Sequence, residues 1–123
     1  MKNLLLIEDN NDYRTLLKIA LEKENYAVTE ASNGLEGCRL FRKDFHRLVI
    51  TDIFMPEKEG IETILEIKRV DPKAKIIAIS GGGNTGAIDM LTFAGDLGAD
   101  AIMTKPIDLK ALVSSVEELI GNA

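Results

Sequence analysis

A parallel α/β fold, with five strands each followed by a helix, is the architecture this sequence predicts. Five short apolar runs carry the prediction: Leu4–Ile7, Tyr26–Val28, Leu48–Ile50, Ile76–Ile79 and Ala101–Met103. Most are rich in β-branched residues, as strands covered on both faces tend to be. Longer segments with helical spacing lie between them, and a (βα)5 order of this kind builds a parallel sheet with helices on both faces. Right-handed crossovers leave every strand pointing the same way, so the C-terminal strand ends share one edge of the sheet.

The first helical segment carries Tyr13, Leu16, Leu17, Ala20 and Leu21 on its apolar stripe, with Asn10 or Asn11 as cap. Asn33-Gly34 opens the second helix, while Gly60 precedes the third and Asp71-Pro72 ends it. On the fourth, Leu91, Phe93 and Ala94 serve either core packing or a partner-docking surface. The last is the clearest: Leu109, Leu112, Val113, Val116, Leu119 and Ile120 form one stripe, Lys110, Ser114, Glu117 and Glu118 lie away from it, Asp108 suits the N-cap and Gly121 the stop. His46, with no other metal-ligating residue beside it, is expected at the surface, and Cys38 is expected packed or half-buried.

At 123 residues, 46% hydrophobic and 28% charged, the chain reads as one folded domain spanning 1–123. That length hides roughly two-thirds of the unfolded surface, enough for a core without disulfide or metal staples. A net charge of −5 offers no basic footprint for nucleic acid or an anionic membrane. The single cysteine rules out an internal disulfide and fits a reducing compartment. The opening apolar run stops at Glu8-Asp9, too short for a signal peptide, and no stretch approaches a membrane span. The expectation is a cytoplasmic protein.

Function is read at the strand ends. The first strand runs into Glu8-Asp9, the third into Asp52, the fourth into Ser80 and the fifth into Lys105-Pro106. Ligands of open α/β sheets bind at this edge. Two unit charges about 4 Å apart repel by roughly 4 kcal/mol at an effective dielectric near 20, so three carboxylates gathered there call for a cation. Oxygen-only ligands without His or Cys suit a hard ion, and Mg²⁺ is the natural choice. With the Lys105 ammonium and the Ser80 hydroxyl, the groups describe a pocket for a phosphoryl group.

Glu8-Asp9, Asp52, Ser80 and Lys105-Pro106, in that order, resemble the receiver domain of two-component response regulators. Asn33-Gly34, Met55-Pro56 and Leu97-Gly98-Ala99 echo the same family, and the resemblance covers essentially the whole chain. It implies a flavodoxin-like sheet of strand order 2-1-3-4-5. It implies that Asp52 is the phosphoacceptor, attacking the phosphohistidine of a sensor histidine kinase or phosphotransfer protein. Mg²⁺ is then bound by Asp9, by Asp52 and by the Phe54 backbone carbonyl, with Glu8, where the family often has Asp, reaching the ion through water. Ser80 and Lys105 bind phosphoryl oxygens, and Pro106 follows a cis peptide bond. The implied protein is no classical enzyme, beyond self-phosphorylation from small donors and self-dephosphorylation. It controls an unknown downstream protein, binds neither nucleic acid nor membrane directly, and is a monomer or a phosphorylation-dependent dimer. Met1 and the capped last helix favour a receiver that acts alone.

Three features depart from the familiar pattern. Ile102 stands where the family commonly has a switching Tyr or Phe, and its stiff β-branched side chain cannot swing as a ring does. That shifts the expected output to movement of the loop after Ser80. Phe54 puts a ring at the pocket mouth and is expected to slow hydrolysis of the phosphorylated form. Gly81, Gly82 and Gly83 form either a flexible lid or a tolerated loop. Two other functions compete: an interaction module working without phosphate, disfavoured because every acid, hydroxyl and amine position is kept, and a nucleotide-binding enzyme using Gly81-x-Gly83-x-x-Gly86. The second is disfavoured because the one remaining strand ends in Lys105 where a ribose-binding acid is wanted, and its Walker variant fails because Ala87 follows Gly86 where Lys is needed.

Overall fold

The strands β1 (Lys2–Ile7), β2 (Tyr26–Ala31), β3 (His46–Asp52), β4 (Lys75–Ser80) and β5 (Ala101–Thr104) form one parallel sheet in the order β2-β1-β3-β4-β5. The structure is a computed structural model that describes residues 2–53, 60–80, 96 and 98–121. Among the described residues the helices are α1 (Asn11–Glu22), α2 (Gly34–Leu40), α3 (Gly60–Val70) and α4 (Leu109–Ile120). The predicted helix with Leu91, Phe93 and Ala94 lies outside the described residues, as do Phe54, Met55-Pro56, Gly81, Gly82, Gly83, Gly86 and Leu97. All five apolar runs are strands. Most extend past the run into polar residues such as Asn3, Glu30, Asp52 and Ser80, because the ladder is backbone bonding and tolerates a polar side chain at the rim.

The strand period of two sorts the side chains into two cores. Leu4, Leu6, Leu48, Ile50, Ile77 and Ile79 pack on one face with Leu17 and Leu21 of α1 and Leu112 and Val116 of α4. Leu5, Ile7, Val49, Ile76 and Ala78 pack on the other with Ile61, Ile64 and Ile67 of α3, and half-buried Cys38 of α2 lies against them. Helices therefore cover both faces.

The caps are local and follow the sequence. Asn10 Oδ1 accepts the Tyr13 N–H at 2.9 Å, Asn33 Oδ1 that of Glu36 at 2.8 Å, and Asp108 Oδ1 those of Lys110 and Ala111 at 2.9 and 3.2 Å. Each such cap stabilises its helix by about 1 kcal/mol. Gly121 closes α4 at φ 82°, a conformation that strains any residue with a Cβ.

Two expectations are corrected. Leu16 is 47% exposed, because α4 packs on α1 beside Leu17 and Leu21 and leaves the next row uncovered. With Ile19, Ala20, Leu109 and Val113 it lines an apolar groove of about 660 Å³ between the two helices. His46 is buried, not a surface residue. Its Nδ1 accepts the Arg42 N–H at 3.0 Å, so the proton sits on Nε2 and is donated to Thr29 Oγ1 at 3.1 Å. Phe41 stacks on the ring and Phe45 meets it edge-on. Burial, with the charge of Arg42 added, holds its pKa below the ordinary histidine value.

Candidate functional site

Backbone bonds align the strand ends before any side chain is considered. Glu8 N–H donates to Ala31 O at 3.0 Å, Ile53 N–H to Ile79 O at 2.8 Å, and Lys105 N–H to Ser80 O at 2.7 Å. The pleat then decides which side chains meet. Asp52 shares the parity of Leu48 and Ile50, and therefore the α1/α4 face. The alternation carried one step past β1 puts Glu8 on that face, and carried past β5 it puts Lys105 there too.

The contacts agree. Lys105 Nζ lies 2.7 Å from Glu8 Oε1 and 2.9 Å from Asp52 Oδ2. Glu8 is 1% and Asp52 4% exposed. Asp9 stands at the exposed rim, and oxygens of Glu8, Asp9 and Asp52 all lie within 4.8 Å of one another. Burial raises the pKa of Asp9, and the hydrogen bond and charge of Glu8 raise it further. For Lys105, burial opposes the charge, but hydrogen bonds and charges from Glu8 and Asp52 outweigh it and hold the ammonium above the usual lysine range. Among the described residues three carboxylates thus face one ammonium, an excess of negative charge that a hard cation on an oxygen-only donor set would relieve.

Ser80 ends β4, one residue beyond Ile79, the register partner of Asp52. It is fully buried, and its hydroxyl has no hydrogen-bond partner among the described residues. Leaving a buried hydroxyl in this state costs about 1–3 kcal/mol. Thr51, also buried, spends its hydroxyl on the Asp52 carbonyl at 3.1 Å. The Lys105-Pro106 peptide is cis. Behind Asp52, Gly60 opens α3 so close that a Cβ there would collide with the Asp52 carbonyl oxygen. Ile102, on edge strand β5, is 42% exposed.

Two residues of the site were not apparent from the sequence. Arg14 donates to the Glu8 carbonyl at 2.8 Å and pairs with Glu30 at 3.2 Å, fixing the end of β1. Tyr13, read as core, turns its hydroxyl and ring toward the Lys105 turn. The available signals were an arginine one turn into the helix and a tyrosine on an otherwise aliphatic stripe.

The sequence pattern described as response regulator receiver domain matches residues 4–117. The chain belongs to this receiver family. The receiver is 38% identical over 121 residues to the response regulator receiver protein CpdR of Brucella abortus, with 98% of each chain covered. It is 33% identical over 119 residues to the chemotaxis protein CheY of Halobacterium salinarum, covering 97% of each. A crystal structure of a receiver domain protein from Clostridium thermocellum superposes with a TM-score of 0.91 at 29% identity, covering 98% of this chain and 94% of that one. The receiver accordingly takes its place in two-component phosphorelay signalling, as a signalling protein and not a classical enzyme. Among the described residues no helix is long and apolar enough to cross a membrane.

Proposed function

We propose that Asp52 is the phosphoacceptor of this receiver. A sensor histidine kinase or phosphotransfer protein would present the phosphohistidine, and an Asp52 oxygen would attack the phosphorus, forming an acyl phosphate as the phosphorus–nitrogen bond breaks. The observation that carries this reading is Asp52 at the end of β3 with an ammonium 2.9 Å from its Oδ2, beside a strand that ends in a buried hydroxyl unpartnered among the described residues. Lys105 then neutralises one phosphoryl oxygen and Ser80 donates to another, both positioned in advance by the sheet. At 4% exposure, the carboxylate is largely shielded from water.

Asp9 and Asp52 are the residues that would hold Mg²⁺, with Phe54 completing the protein's share through its carbonyl. When bound, the ion would stabilise charge gathering on the transferring oxygens. One oxygen each of Glu8, Asp9 and Asp52 lies within 4.8 Å of the others, an oxygen-only set that suits a hard ion, with one carboxylate acting through water. Glu8 is that one, since its Oε1 faces Lys105 and its Oε2 accepts the Asn10 N–H at 3.0 Å.

Self-phosphorylation supplies the test. Incubation with phosphoramidate and Mg²⁺ should add about 80 Da, one phosphoryl group in place of a proton, and Asp52→Asn should gain nothing. No gain in the native protein with any donor would turn the reading toward a phosphate-independent module. We further infer a cytoplasmic setting, a protein target downstream, and slow hydrolysis of the acyl phosphate behind Phe54. Faster loss of the added mass in Phe54→Asn is the expected result for the last.

A further inference from the structure

We propose that Tyr13 is a positioning residue for Lys105, its ring carrying the ammonium and its hydroxyl pinning the turn from which the ammonium reaches inward. The inference rests on Asp52 being the phosphoacceptor. Lys105 Nζ stands 4.6 Å from the centroid of the Tyr13 ring, within the range where the ring's electron-rich face attracts a cation. The Tyr13 hydroxyl accepts the Ile107 N–H at 2.9 Å. Pro106 has no N–H, so Ile107 offers the first backbone donor after Lys105, and Tyr13 takes it. One side chain of α1 thus grips the β5–α4 turn and supports the lysine two residues before the grip.

The chemistry explains why a ring suits this place. A lysine side chain has four rotatable carbon–carbon bonds and loses much conformational freedom when held. Glu8 and Asp52 hold the ammonium by charge, but Asp52 gives up its carboxylate charge when it becomes an acyl phosphate. Another carboxylate in place of Tyr13 would compete with the phosphoryl oxygens for the ammonium. An aliphatic side chain would desolvate the charge and return nothing. An aromatic face supports it weakly and broadly, so Nζ can follow the charge onto the phosphoryl group.

The test is the initial rate of mass gain from phosphoramidate with Mg²⁺. Tyr13→Phe keeps the ring and loses the anchor, and should react about twofold to threefold more slowly. Tyr13→Leu loses both, and should be about tenfold slower. In a Lys105→Ala background, itself much slower, Tyr13→Leu should change the rate less than twofold, since there is no ammonium left to position. A purely structural role would give the same factor in both backgrounds. NMR adds a second readout: the Lys105 Hε protons should be shifted upfield by the ring current in the native protein and in Tyr13→Phe. Should Tyr13→Leu not fold, the Tyr13→Phe rate and these shifts decide. A native rate in Tyr13→Leu, equal factors in the two backgrounds, or Hε shifts of an ordinary exposed lysine would overturn the proposal. A native protein that gains no mass at all would instead remove the phosphoacceptor reading, and this inference with it.

Discussion

His46 and Asp52 are the first and last residues of β3, each 4% exposed, yet their surroundings differ in kind. Both ring nitrogens of His46 are hydrogen-bonded, Phe41 stacks on the ring and Phe45 meets it edge-on, and burial holds its pKa below the ordinary histidine value. Among the described residues, Asp52 sits with two other carboxylates around one ammonium, and the neighbouring strand ends in a hydroxyl without a partner. A polar group whose bonds are all made contributes stability. A crowd of like charge with an idle donor costs stability, and persists where something else is to be bound.

That contrast is open to attack by mutation. The largest effect is expected at the satisfied end, where His46→Ala should lower the unfolding free energy by about 3 kcal/mol, through two lost hydrogen bonds and a cavity between the phenylalanines. Urea denaturation at pH 7.5 measures it, and a loss below 1 kcal/mol would dissolve the distinction. Next comes Gly60→Ala, which forces a methyl onto the Asp52 carbonyl and should cost about 2 kcal/mol, checked by the same titration. At the crowded end the sign should reverse. Without Mg²⁺, Asp52→Asn should raise stability by about 1 kcal/mol, because it removes one of three mutually repelling charges.

The smallest effect is one of pH. A histidine whose folded pKa is depressed binds its proton more readily when unfolded. Its contribution is therefore complete above about pH 6.5 and is lost as pH falls toward the folded value. Melting temperatures between pH 7.5 and 5.5 should fall for the native protein and change less for His46→Ala.

Much of this was legible in the sequence, for identifiable reasons. The five strands announce themselves by short apolar runs, and Asn33 and Asp108 cap as expected because capping depends on the next three residues alone. Glu8, Asp9, Asp52 and Lys105 converge because parallel topology leaves strand ends no other place to go. Leu16 is exposed although it lies on the apolar stripe, because a helical stripe does not say how far a neighbouring helix will cover it. The partners of His46, Thr29 and the Arg42 N–H, come from two separate segments, and no local pattern joins them. Tyr13 reads in the sequence as one more member of an apolar stripe, and its hydroxyl has a purpose only once the Lys105 turn lies against it.

The 2.7 Å bond from Lys105 N–H to Ser80 O ties the carrier of the ammonium to the carrier of the idle hydroxyl on adjoining strands. Neighbouring strands are about 4.8 Å apart, a spacing set by amide geometry and indifferent to side chains. The backbone therefore serves as a calliper whose jaws are Ser80 and Lys105, and the gap between them was fixed when the peptide bond was.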